Sequence, residues 1–115
     1  MIELAKSNLS IPILPKNSIL KDYQDYLVRV VKIRGFENET ITQLFMLFTE
    51  ECGELAKALR KFDHIKSDIT SKDLNLSHEC ADVFIYLLEI CNYCGIDLEK
   101  AFREKEEINS KRKWK

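Results

Sequence analysis

The sequence predicts an all-α fold, four helices in a bundle-like arrangement, and three observations carry that prediction. Apolar residues recur every three or four positions through four separate segments. Only three glycines and two prolines occur in 115 residues, both prolines before residue 16, which leaves too little turn material for a succession of strands. Residues that cap helices stand at the borders of those segments. With 45% apolar and 32% charged residues, a chain of this length suits a single soluble domain with one core.

Residues 1–17, with Pro12 and Pro15, fit no helical period and read as an N-terminal arm ahead of a domain spanning 18–115. Helix one is expected over about 18–34. Ser18 would be its N-cap, Leu20, Tyr23, Leu27, Val30 and Val31 its stripe, and Gly35 its end. Helix two runs from Thr40, which forms a capping box with Gln43, to about Phe62. A polar connection over Asp63 to Ser71 follows, rich in turn formers. Helix three begins between Ser71 and Ser77 and stops before Gly95. From Val83 to Cys91 it is apolar almost all round, which predicts burial against a second copy of the chain and hence a homodimer or homotetramer. Asp97 caps helix four, whose inner face is expected to hold Leu98, Ala101, Phe102 and Ile108, with Lys105 at its centre and Asn109 and Arg112 at the same spacing.

Eighteen basic residues against nineteen acidic ones argue against a general electrostatic grip on nucleic acid or on an anionic membrane. No apolar run approaches the roughly 20 residues that span a bilayer, and the N-terminus lacks the pattern of a secretory leader, so a cytoplasmic location is expected. Cys91 and Cys94 form a CxxC at a helix C-terminus, where the helix dipole disfavours a thiolate, and Cys52 and Cys80 read as small apolar residues.

Helix two carries acids where apolar residues belong. Ile41, Leu44, Phe45, Phe48, Cys52, Leu55, Leu59 and Phe62 share a face, and Glu51 falls inside it. Glu54 sits at the edge of that face, while Glu50 points away. On helix three, Glu79, Asp82, Tyr86, Glu89 and Tyr93 make the one polar stripe. Acid pairs three residues apart also occur at Asp22 with Asp25 and at Glu104 with Glu107, but those project from the polar sides of their helices. Packing helices two and three through the faces of Glu51 with Glu54 and Glu79 with Asp82 would gather four carboxylates, as metal sites in bundles do. An all-oxygen set selects a hard ion, Mg²⁺ or Mn²⁺, and His64 and His78 lie off the stripe, which disfavours a di-iron site. Lys105, Asn109 and Arg112 supply what would hold a phosphate chain. Spacing alone leaves one alternative open, a polar interface with ion pairs such as Glu79 to Lys105.

The string Glu50-Glu51-Cys52-Gly53-Glu54-Leu55, then Glu79-Cys80-Ala81-Asp82-Val83-Phe84-Ile85-Tyr86, then Gly95-Ile96-Asp97-Leu98 and the run Lys105, Asn109, Arg112, resembles the MazG family of all-α nucleoside triphosphate pyrophosphohydrolases. The resemblance extends from about Leu20 to Trp114. It implies Glu51, Glu54, Glu79 and Asp82 as ligands of Mg²⁺. Glu50 is then a helper that orients water or a surface acid, and its outward angle favours the latter. It further implies hydrolysis of a nucleoside triphosphate, such as a dNTP or a non-standard NTP, to the monophosphate and pyrophosphate in housecleaning of the nucleotide pool. Lys105 and Arg112 would stabilise the departing pyrophosphate. Tyr86, one turn past Asp82, and Phe36, where relatives often carry a tryptophan, are candidates for stacking on the base. The alternative from another class is a non-catalytic interaction or regulatory module that kept this fold. Loss of a ligand or a phosphate-binding residue would mark it, and none is missing.

Overall fold

The computed structural model describes residues 10–65 and 75–114. Among them are four helices and no strand, namely α1 (Leu20–Ile33), α2 (Ile41–Phe62), α3 (Leu76–Tyr93) and α4 (Leu98–Ser110). The first nine positions of the expected arm, residues 66–74 with the earliest start considered for α3, and Lys115 lie outside the described residues. The described chain divides into two compact units, one of residues 10–38 and 91–114 and one of residues 39–90.

Local sequence sets the helix ends. At α2, Gln43 N donates to Thr40 Oγ1 at 3.2 Å and Thr40 N donates to Gln43 Oε1 at 2.8 Å, the expected reciprocal box. Asp97 Oδ1 accepts from Lys100 N at 3.2 Å and opens α4. Asn75 Oδ1 takes His78 N at 3.2 Å at the start of α3. The start of α1 differs from expectation. Its N-cap is Ile19, whose N–H donates to Asp22 Oδ2 at 2.9 Å, because the Ser18 hydroxyl is spent on Pro15 O at 2.6 Å.

Three helices end in the same left-handed device. Gly35 (φ 81°) closes α1, with Phe36 N donating to Val31 O at 2.9 Å, and Gly95 (φ 69°) closes α3, with Ile96 N donating to Cys91 O at 2.8 Å. His64 takes this conformation after α2 at φ 57°, with Ile65 N donating to Arg60 O at 2.9 Å.

In the first unit, Leu27, Val30 and Cys91 are buried together with one polar residue, Gln24. The Gln24 amide uses both ends. Its Nε2 donates to Asn92 Oδ1 at 3.0 Å and to Ile96 O at 2.8 Å, and its Oε1 accepts from Leu98 N at 3.0 Å. Asn92 Nδ2 returns a bond to Gln24 O at 3.0 Å. The side chain of α1 thus fixes the last turn of α3 and the first N–H of α4, and α4 packs on α1. No residue of α4 is fully buried. Leu98, Ala101 and Asn109 are half-buried, whereas Phe102 and Ile108 are exposed and Lys105 faces solvent, so the expected inner face is covered at its two ends and open in the middle.

In the second unit the buried residues are Leu44, Ala58 and Leu88. The apolar face read for α2 is therefore covered along one edge. Leu44, Glu51 and Ala58 are seven residues apart in sequence and form the covered line, while Phe45, Leu59 and Phe62 are 60%, 46% and 71% exposed. On α3, Val83, Ile85, Leu87 and Ile90 are half-buried and Phe84 is at the limit of exposure.

Gln24→Leu should lower the stability of the protein by roughly 2–3 kcal/mol, since Leu98 N–H and the Asn92 amide lose a buried partner. Chemical denaturation of the two proteins reads this directly.

Candidate active site

Glu51 stands midway along the covered line of α2, between Leu44 and Ala58. Glu79 and Asp82 are three residues apart on the first turns of α3, so both lie on one side of it. One carboxylate oxygen from each of Glu51, Glu79 and Asp82 lies within 4.8 Å of the others, and all three side chains are half-buried. Among the described residues of that unit, no Lys or Arg is paired with any of the three. Packing of apolar neighbours therefore holds the three anions together, with no counter-charge among the described residues.

The electrostatics register that crowding. Loss of water raises the Glu51 carboxyl above its ordinary 4.5, and the negative charges of Asp82, Glu79, Glu50 and Glu54 raise it further, in that order. Glu54 is half-buried but falls outside the group of three. Three residues past Glu51, it is turned about 60° around α2. Glu50 is exposed. The acids read as surface pairs find ordinary uses: Asp22 caps α1, Asp25 pairs with Lys21 at 3.4 Å, and Glu107 pairs with Lys111 at 3.6 Å.

Tyr86, one turn beyond Asp82, is half-buried. Burial raises its phenol pKa first, followed by the charges of Glu89, Glu39, Glu51 and Asp82, so the hydroxyl stays neutral beside the acids. The effect of Glu39 escaped the sequence reading, because it lies ahead of α2 and outside any helical stripe.

The remaining candidates belong to the other unit. Lys105 and Arg112 are exposed and neither is paired with a carboxylate of that unit, whereas their neighbours Arg103 and Lys111 are paired with Glu99 at 3.0 Å and Glu107 at 3.6 Å. Asn109 is half-buried. Its Nδ2 donates to Glu106 Oε1 at 3.2 Å and its Oδ1 is buried with no partner. Phe36 is 53% exposed in the turn after α1. The four described cysteines are free, and Cys91 is buried, with burial and then Cys94 pushing its thiol up, which suits packing rather than reactivity.

The family model of the MazG nucleotide pyrophosphohydrolase domain matches residues 39–113, more than half of the chain. The chain belongs to the MazG family. No curated protein and no solved structure matches the chain. The match takes in α2, α3 and α4 with Glu50, Glu51, Glu54, Glu79 and Asp82 and with Lys105, Asn109 and Arg112, and leaves out α1, Phe36 and Trp114. MazG domains hydrolyse nucleoside triphosphates with the help of a metal ion, and the trio of this chain fits that requirement. Oxygens this close can share one hard cation, which binds carboxylates at about 2.0–2.6 Å, and the trio otherwise repels itself. Among the described residues no helix is long and apolar enough to cross a membrane.

Replacing the central acid should relieve the repulsion. A group whose pKa is raised on folding contributes its stability below its unfolded value and loses it as pH rises through the folded one. In chelator, Glu51→Gln should therefore be more stable than the parent at pH 7 by about 0.5–1 kcal/mol, and the gain should fade as the pH approaches 4. Thermal melts across that range, with and without a divalent cation, check both parts.

Proposed function

We propose that the protein hydrolyses a nucleoside triphosphate, a dNTP or a non-standard NTP, to the monophosphate and pyrophosphate, and clears such nucleotides from the cytoplasmic pool. The observation that carries this reading is the close trio of Glu51, Glu79 and Asp82 inside a MazG domain. These three, with Glu54 reaching in from the flank, would hold Mg²⁺ or Mn²⁺. When bound, the ion neutralises phosphate charge and makes water a better nucleophile.

The chain's own residues do the remaining work. The carboxylates would orient the substrate through the cation they would hold, with Glu50 as an exposed flanking acid. Water would add to the α phosphorus as the bond from that phosphorus to the bridging oxygen breaks, so the bridging oxygen leaves with the pyrophosphate and the water's proton passes to solvent. Charge grows on that leaving group, and Lys105 and Arg112, which the family resemblance implies as phosphate-binding residues, would stabilise it. The Asn109 amide would bind beside them through Nδ2, its one donor group, which would have to leave Glu106. The base would stack on Tyr86, kept neutral among the acids, with Phe36 as the second aromatic candidate.

A second copy of the chain is part of this reading. Phe45, Leu59 and Phe62 of α2 are 60%, 46% and 71% exposed and offer apolar side chains for a second copy to cover. A homodimer or homotetramer would cover them, with α2 joining the α3 face expected from the sequence.

The deciding experiment screens common and damaged nucleoside triphosphates for pyrophosphate release with Mg²⁺. One or a few should turn over, chelator should abolish the reaction, and Glu51→Gln or Asp82→Asn should reduce kcat by at least about a hundredfold with the helical circular dichroism unchanged. Lys105→Met should cripple turnover at saturating metal and leave the melting temperature alone, because the side chain faces solvent. Full activity in excess chelator contradicts the assignment.

For the assembly, light scattering at micromolar concentration should give a dimer or larger species, and Phe45→Glu should shift it toward the monomer. A monomeric parent protein contradicts the homo-oligomer.

A further inference from the structure

Arg112 follows the last turn of α4, where its N–H donates to Asn109 O at 3.1 Å. Its guanidinium carbon lies 4.5 Å from the centroid of the Trp114 ring, over the face of the indole. Trp114 is 69% exposed and stands one residue beyond the segment covered by the family match.

The kind of contact matters. Arg103 and Lys111 spend their N–H donors on Glu99 and Glu107 of the same helix. A guanidinium paired in that way has its edge occupied. One stacked on an aromatic ring uses its flat face instead, and its five N–H donors stay free around the edge in one plane. Stacking also removes part of the rotamer freedom that an exposed arginine otherwise loses on meeting a phosphate. Trp114 thus restrains Arg112 without consuming the donors that bidentate phosphate binding needs.

We propose that Trp114 is a positioning residue, which holds the Arg112 guanidinium over its ring and leaves the N–H donors for the pyrophosphate end of the substrate. The proposal rests on the phosphate-binding role of Arg112 put forward above. Trp114 acts through Arg112 and does not itself touch the reacting atoms.

The test is a double-mutant cycle in the full chain with Mg²⁺, using Trp114→Ala, Arg112→Met and both together, with Trp114→Phe alongside. Trp114→Ala should lower kcat/KM about two- to fivefold, and Trp114→Phe, which keeps a ring face, should recover most of that loss. In the Arg112→Met background Trp114→Ala should cost nothing further. A second readout is optical. Trp114 is the only tryptophan in the chain, so inorganic pyrophosphate with Mg²⁺ should change the intrinsic fluorescence of the parent protein and leave that of Arg112→Met unchanged. The positioning role is overturned if Trp114→Ala matches the parent, if its loss persists undiminished without Arg112, if Trp114→Phe is no better than Trp114→Ala, or if pyrophosphate leaves the parent's emission unaltered. Normal kinetics for Arg112→Met would instead remove the phosphate-binding role of Arg112 on which the proposal stands.

Discussion

Like charges held on a covered helix line are the constraint from which the rest of the molecule follows. Leu44, Glu51 and Ala58 occupy one line of α2, and covering that line carries the Glu51 carboxylate toward Glu79 and Asp82. Two unit charges about 4 Å apart repel by roughly 1 kcal/mol in water and roughly 4 kcal/mol with the screening typical of a protein surface. Burying one large apolar side chain returns about 1.5–3 kcal/mol. A few such residues can therefore hold the trio, and a divalent cation reverses the sign of the interaction at the same oxygens.

Charge elsewhere is sorted by a similar economy of partners. Asp22, Asp25, Glu99 and Glu107 are engaged locally, by a backbone N–H or by a cation four residues away. Exposed pairs of this kind add little to stability, but they take those side chains out of play. Among the charged groups with no ion pair of this kind are the acid trio on α2 and α3 and the cations Lys105 and Arg112 on or just after α4. Groups whose charges are left unmatched within their own unit are the ones available to a charged ligand.

Features set by short-range spacing were legible in the sequence. The Thr40–Gln43 box, the Asp97 cap and the Gly95 stop each involve residues within one or two turns, and each forms as read. Glu51 was legible for the same reason, since an acid among Leu44 and Leu55 is conspicuous at helical period. Which part of the α2 apolar arc would be covered was not legible, because periodicity defines an arc and only the packing neighbours choose an edge. The solvent position of Lys105 follows the same logic, as α4 is covered near Leu98 and Ala101 and at Asn109 and is open in the middle. Gln24 did give a sign, an amide one turn before Leu27 on the apolar stripe of α1. Its partners, however, lie 68 to 74 positions along the chain.

That distant network holds the first unit together. The last turn of α3 is clamped by Gln24 through Asn92 and Ile96, and the same amide receives the first N–H of α4. In the second unit the spacing across the trio depends on how well Leu44, Ala58 and Leu88 pack. The two units thus rest on two kinds of support, a polar clamp in one and apolar burial in the other. Family resemblance names the carboxylates but neither of these supports, because their residues carry no chemistry of their own.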